Sequence, residues 1–321
     1  MDFQHTPVLL SEVLELLDPQ PGKIVVDGTV GGAGHSFEIL QRILPGGRLI
    51  GLDQDHDAVQ AARTRLLPLG ADNFQIIHSN FLELKDVLSD IGVTDVDGIL
   101  LDLGVSSYQL DQKERGFSYQ HDAPLDMRMN REQSFSAYEL VNQATTAELQ
   151  KIIWDYGEER WAKRIAEFID QERREKTIET TGQLVEIIKK AIPKGARKDG
   201  PHPAKRTFQA LRIAVNKELE IIEKSLENGV EVLKAGGVLA VITFHSLEDR
   251  LVKQTFRKLA QKCICPPTLP KCVCGERPKV KILTGKPILP SKEEVTVNPR
   301  SRSAKLRAVR KICLSSKAQE R

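Results

Sequence analysis

The first hundred residues switch repeatedly between two hydrophobic rhythms. Lys23-Ile24-Val25-Val26-Asp27 is a short apolar, β-branched run that ends in a glycine-rich turn. Helical spacing follows over 35–44, with Phe37, Ile39, Leu40, Ile43 and Leu44 as its apolar positions, and Pro45-Gly46-Gly47 stops it. Arg48-Leu49-Ile50-Gly51-Leu52-Asp53 reads as a second strand and 56–67 as a helix. Phe74-Gln75-Ile76-Ile77-His78 reads as a third strand, and Asp97-Gly98-Ile99-Leu100-Leu101-Asp102 as a fourth. Strands alternating with helices predict βαβ units, hence an α/β chain with a mainly parallel sheet.

The rhythm then breaks. Residues 106–212 are helix-like, charged and without convincing strands, and 154–172 and 181–192 are the clearest helices. An apolar strand returns at Gly236-Gly237-Val238-Leu239-Ala240-Val241-Ile242-Thr243-Phe244, followed by a helix over 247–260 and two strands near 279–283 and 305–312. The pattern predicts one discontinuous α/β domain, 1–105 with 213–321, interrupted after its fourth strand by a helical insertion, 106–212.

Composition narrows this little. The chain has 321 residues, 40% of them hydrophobic, which is enough for one large domain and a smaller one. The formal net charge of +3 does not by itself point to nucleic acid. No apolar run is long enough to span a bilayer. The N-terminal Met1-Asp2-Phe3-Gln4-His5 has no basic stretch leading into an apolar one, so the expectation is a cytoplasmic protein with no membrane partner. Four of the five cysteines are clustered, unlike a disulfide framework.

The chemistry begins at the turn after the first strand, Asp27-Gly28-Thr29-Val30-Gly31-Gly32-Ala33-Gly34-His35. Glycines let backbone approach a ligand, and a strand running through such a turn into a helix makes a cofactor cradle. Asp53, at the end of the second strand, can accept hydrogen bonds from both ribose hydroxyls of an adenosine. The dinucleotide fingerprint G-x-G-x-x-G fails, because Phe37 stands where its third glycine would be. An acid at Asp27 sits poorly beside a pyrophosphate and suits the cationic methionine end of S-adenosylmethionine. Asp102 ends the fourth strand, where ligands bind in open α/β sheets, and could accept a hydrogen bond from a target amine or hold the cofactor. Ser106 or Ser107 could equally be a helix N-cap.

Further blocks carry a more specific resemblance: His5-Thr6-Pro7-Val8-Leu9-Leu10, Arg115-Gly116-Phe117-Ser118 with Pro124-Leu125-Asp126-Met127-Arg128-Met129, and Tyr156-Gly157-Glu158-Glu159-Arg160. Later come Arg206-Thr207-Phe208-Gln209-Ala210-Leu211-Arg212, Phe244-His245-Ser246-Leu247-Glu248-Asp249-Arg250 and Asn298-Pro299-Arg300-Ser301-Arg302-Ser303. With these the chain resembles, nearly end to end, the ribosomal small-subunit methyltransferase H (MraW) family, which methylates the N4 amine of a cytidine in the decoding centre of 16S rRNA. The resemblance implies a class I S-adenosylmethionine methyltransferase fold, Rossmann-like, with a helical insertion. It implies 16S rRNA in the small ribosomal subunit as partner, and leaves a homodimer open. It also implies cofactor contacts at Ala33, Gly34, His35, Asp53, Phe81, Asp102 and Gln109. Relatives often carry glycine where Ala33 stands, and Phe81 reads equally as a core phenylalanine.

Cytosine N4 is a poor nucleophile because its lone pair is delocalised, so the chemistry calls for positioning and for an acceptor on the N–H. Asp102 is the first candidate and His245 the second; His245 could instead cap the following helix. No metal is assigned to the reaction. Basic residues cluster at Lys189, Lys190, Lys194, Arg197, Lys198, Lys205 and Arg206, and again at Arg300, Arg302, Lys305, Arg307, Arg310 and Lys311. These suit phosphate contacts. The second run lies partly on a strand whose alternate residues must face inward, which favours the first. Phe117 and Tyr119 could stack on an extracted base or belong to the insertion's core. Cys263, Cys265, Cys272 and Cys274 could form a four-thiolate zinc site, although as C-x-C pairs rather than the usual C-x-x-C, or could remain reduced thiols. A methyltransferase acting on DNA or protein, or a non-catalytic assembly factor, stays open on the residues alone.

Overall fold

The computed structural model describes residues 7–197, 202–263, 265, 274 and 277–313. His5, Thr6, Lys198, Pro201 and Cys272 lie outside these. The chain divides into two compact units, Met1–Gly104 with Leu219–Arg321, and Val105–Glu218.

The first unit is built on seven strands: β1 Ile24–Asp27, β2 Arg48–Asp53, β3 Phe74–His78, β4 Val96–Asp102, β5 Leu233–Thr243, β6 Val280–Ile282 and β7 Lys305–Lys311. Their order across the sheet is β3-β2-β1-β4-β5-β7-β6. The first five pair in parallel, while β7 runs antiparallel to both β5 and β6. The order reverses between β1 and β4, so a crevice opens at the carboxyl ends of those strands. β5 starts three residues earlier than the apolar run suggests, at Leu233, which pairs with Val96 ahead of a register shift.

Alternation along each strand explains why both faces are covered. Val25, Leu49, Leu100, Ala240 and Ile242 point into one apolar cluster, and Val26, Ile50, Leu101, Leu239 and Val241 into the other. Helices Leu10–Leu17, Gly34–Ile43 and His56–Leu66 contribute to the first cluster; Leu84–Asp90, Ile222–Val232 and Ser246–Leu259 contribute to the second. Strands buried on both sides read as continuous apolar runs, as β5 does after Gly237.

The second unit is helical and has its own core, including Leu140, Leu149, Ile165, Leu184, Phe208 and Leu211. Four of its helices start with reciprocal capping boxes: Ser106 with Gln109, Ser136 with Glu139, Thr145 with Glu148, and Thr180 with Gln183. The single helix expected over 154–172 is two helices, Thr146–Gly157 and Ala162–Glu175. Glu158 breaks it by taking a left-handed conformation, φ +49°. Glu159 then accepts the Trp161 N–H at 3.0 Å, so the chain turns before the second helix begins. The unit runs to Glu218, which pairs through both carboxylate oxygens with Arg212.

Candidate functional site

Three carboxylates stand at carboxyl ends of adjacent strands: Asp27 on β1, Asp53 on β2 and Asp102 on β4. The turn after β1 is pinned between the neighbouring strands. Gly28 N–H donates to Leu100 O and Val30 N–H to Leu52 O, each at 2.9 Å, while Thr29 Oγ1 accepts the Asp102 N–H at 2.6 Å. A β-carbon at Gly28 would fall 2.5 Å from Leu101 Cδ2 and 3.2 Å from Phe81 Cβ, so any side chain there would displace Leu101 and crowd Phe81. Gly34 is likewise tightly placed, since a β-carbon would meet Pro7 Cγ at 2.7 Å. Ala33 is buried in the left-handed region, φ +57°. That conformation costs a non-glycine residue about 1 kcal/mol and explains why glycine suits the position. Ala33 is also the N-cap of Gly34–Ile43, and no side chain caps that helix. Its first-turn N–H groups are thus left without a capping side chain at the positive end of the dipole.

Asp27 is buried beneath the turn. It accepts the Ser36 hydroxyl at 2.7 Å and the Thr29 N–H at 3.2 Å, and burial pushes its pKa up against those bonds. Its role here is to brace the turn rather than to face outward toward a cationic ligand. His35 is buried beside it; burial lowers its pKa, opposed by the charge of Asp27. His35 Nε2 lies 2.9 Å from Val8 O, and a carbonyl only accepts, so Nε2 carries the proton. In the neutral ring Nδ1 is then an acceptor, and it faces Asp102 Oδ2 at 3.8 Å.

Asp102 is the exceptional group. Oδ1 is buried with no hydrogen-bond partner, although the side chain as a whole keeps 26% of its exposure. Burial first, then the charges of Asp27 and Glu248, push its pKa up to about 8. Asp53 accepts Gly31 N–H at 2.8 Å and Asp55 N–H at 2.9 Å. Burial outweighs those bonds and lifts its pKa to about 6. Phe81 opens a short 3-10 turn after β3, packs partly into the core and borders Gly28.

The remaining candidates are placed differently. Gln109 lies in the helical unit, where its Oε1 accepts the Ser106 N–H at 3.0 Å in a capping box. His245 follows β5 and caps Ser246–Leu259, with Nδ1 accepting the Glu248 N–H at 3.4 Å. Its Nε2 lies 3.1 Å from Glu248 Oε1. The geometry is that of the helix cap, the alternative role open to it in the sequence. Glu248 does not stand out in the sequence. It is fully buried, accepts the Phe244 and His245 N–H groups at 2.8 and 3.2 Å, and adds negative charge toward Asp102. Its signal is the Ncap–N3 spacing of a capping box, hidden because histidine holds the cap position.

The proposed phosphate contacts divide in the same way. Arg307 is buried and bonds Asp249 through Nε at 2.6 Å, Lys305 pairs with the same carboxylate, and Lys311 donates to Glu231 O and Leu233 O. Those three hold β7 in place, whereas Arg300, Arg302 and Arg310 are exposed. In the other run Lys189 pairs with Glu186 and Lys190 with Glu172, both at the surface, and Arg206 donates to Glu158 O. Phe117 is buried in the helical core, while Tyr119 stacks on His202 with centroids 4.7 Å apart.

A parallel sheet with this strand order and an antiparallel β7, a glycine turn after β1 and unneutralised acids at the ends of β2 and β4 define a class I methyltransferase dependent on S-adenosylmethionine. The model of the MraW methylase family matches residues 2–312, and the chain belongs to that family. A protein named ribosomal RNA small subunit methyltransferase H, from Symbiobacterium thermophilum, is 56% identical over 319 residues, covering 99% of this chain and all of its own. Proteins of the same name from Ruminiclostridium cellulolyticum and Clostridioides difficile are 54% and 56% identical, each covering 97% of this chain and all of their own. No helix among the described residues is long and apolar enough to cross a membrane.

Proposed function

We propose that this chain methylates the N4 amine of a decoding-centre cytidine of 16S rRNA, with the sheet unit holding the cofactor and the helical unit, 105–218, contributing to recognition of the RNA. The observation that carries the reaction is Asp102: a strand-end carboxylate at the switch point with a buried, unpartnered oxygen. The small-subunit rRNA named in its relatives supports the substrate, and the resemblance of the blocks from Asp102 to Asn298 supports the base and its amine.

The residues present fit the cofactor. S-adenosylmethionine, when bound, supplies a methyl group already activated on a cationic sulfur. Asp53 has lone pairs left for ribose hydroxyls after accepting two backbone N–H groups. The uncapped start of Gly34–Ile43, with Ala33, Gly34 and His35 at its first turn, suits a carboxylate. Phe81 closes the side of the cradle beside Gly28. The Asp102 carboxylate accepts the N–H of the target amine on its exposed side and thereby helps localise the amine's lone pair; His35 keeps its own proton on Nε2, toward Val8. Nothing in this scheme needs a covalent nucleophile. The RNA-facing residues are the exposed basic side chains of 189–206 and the Tyr119–His202 stack, whose rings offer an aromatic surface. Gln109 and His245 act through their helix caps, as positioning residues.

Transfer of tritiated methyl to small subunits from a strain lacking the gene, followed by nucleoside analysis, tests this. Label in N4-methylcytidine is the expected result. Label in N6-methyladenosine, or on ribosomal protein, would overturn the substrate; no transfer and no cofactor binding at high concentration would favour an assembly factor.

A further inference from the structure

The cysteine cluster plays no part in the reaction derived above, yet its described members are gathered closely. Cys263 and Cys265 follow the helix Ser246–Leu259, and Cys274 comes back from nine residues further along the chain. The base of the excursion is closed: Lys279 N–H donates to Leu259 O at 2.8 Å, and Ile312 N–H to Lys279 O at 2.9 Å. Within it the Sγ atoms of Cys263, Cys265 and Cys274 all lie within 4.8 Å of one another. Cys263 Sγ and Cys274 Sγ are 3.7 Å apart, and the Cys265 N–H points at Cys263 Sγ from 3.3 Å.

We infer that this cluster is a structural zinc site. A zinc–sulfur bond of about 2.3 Å in a tetrahedron places neighbouring sulfurs about 3.8 Å apart, which is the Cys263–Cys274 separation. A disulfide would need about 2.05 Å, far shorter. A backbone N–H donated to a ligating sulfur is the outer-shell contact that steadies a thiolate carrying extra charge. Three sulfurs with no imidazole or carboxylate among them select a soft, tetrahedral metal over magnesium or calcium. The need is also physical. The segment from Gln261 to Pro278 contains prolines at 266, 267, 270 and 278 and only a few scattered apolar residues. A segment of that composition has little apolar surface to bury, and a metal crosslink is a common remedy. On binding, each ligating thiol gives up its proton to solvent and the ion keeps its oxidation state. Cys272 lies outside the described residues, and the assignment rests on the other three.

Elemental analysis of the untagged full chain tests this directly, with about one zinc per chain expected. Replacing zinc by cobalt should produce the intense near-ultraviolet absorption of thiolate-to-cobalt charge transfer. Cys263→Ser combined with Cys274→Ser should abolish both the zinc and that band. A chelator should lower the Tm of the wild-type chain by several degrees and leave that of the double variant unmoved. Wild-type chain that is metal-free with reactive thiols, that carries a Cys263–Cys274 disulfide, or that shows the visible absorption of an iron–sulfur cluster would each overturn the assignment.

Discussion

Carboxylates of the helical unit and those at the strand ends of the sheet unit behave in opposite ways. In the helical unit Asp170 is held below its ordinary pKa, first by its hydrogen bonds from Arg173, and Glu148 is held low by the Thr145 cap. At the strand ends of the sheet unit, Asp27, Asp53 and Asp102 are all raised, with burial the largest cause each time. Elsewhere in the sheet unit Asp249 is low, because Arg307 and Lys305 outweigh its burial. Lysines and arginines are thus available for acids elsewhere, while among the described residues none pairs with the acids at the ends of β1, β2 and β4. An acid kept buried without a counter-ion costs stability, and a cationic ligand offsets that cost. That contrast locates the site more sharply than the glycine turn does.

The largest expected effect follows from Asp102. Asp102→Asn should lower kcat by about 10²-fold or more, the scale of losing a positioned acceptor in the transition state. Unchanged kcat with a raised KM for the cofactor would reduce Asp102 to a binding group. Asp53→Ala should weaken cofactor binding by roughly 10- to 100-fold, since hydrogen bonds to a charged group are worth about 1.5–3 kcal/mol, while RNA binding stays put. Equal loss of both by calorimetry and filter binding would make Asp53 merely structural. In contrast, Asp170→Asn should lower Tm modestly and leave cofactor affinity alone; an effect on affinity would dissolve the distinction between the two sets of acids.

The same contrast has a pH signature. Asp53 and Asp102 have folded values above their unfolded ones, so the folded chain holds more protons than the unfolded chain between about pH 4 and the folded values of about 6 and 8. Stability of the ligand-free protein should accordingly fall as pH rises through that window. Cofactor affinity should move the other way, tightening about tenfold or more from pH 6 to pH 8 as the carboxylates ionise. A flat affinity profile would remove the cation-seeking role. Smaller still is His245→Asn, which replaces one good cap by another and should keep kcat within a few-fold. A large loss of kcat with intact Tm would restore His245 to the chemistry. Smallest is Ala33→Gly, where relief of the left-handed strain nearly offsets the lost buried methyl, leaving Tm within a few degrees.

The alternation of apolar residues makes the sheet readable, because strands buried on both faces leave unbroken runs and their ends carry the acids. Asp53 and Asp102 are therefore visible as strand termini in the residue pattern alone. What stays hidden depends on partners far along the chain. Asp27 reads as a ligand until Ser36 and Thr29 are seen to occupy it. Arg307 reads as a phosphate contact until Asp249 is found against it. The break at Glu158 is invisible because a left-handed glutamate leaves no mark on helical periodicity. The reversed direction of β7 leaves none either, since pairing sense does not alter which residues alternate.

The central claim is that Asp102, at the end of β4, awaits a cation, and proton release on ligand binding tests it most directly. Calorimetric titration at pH 7 in buffers of differing ionisation enthalpy should show a proton leaving the protein as S-adenosylmethionine binds, and clearly less with S-adenosylhomocysteine, whose sulfur is neutral. Asp102→Asn should abolish the difference between the two ligands. Equal proton release with both, or none with either, would contradict the account.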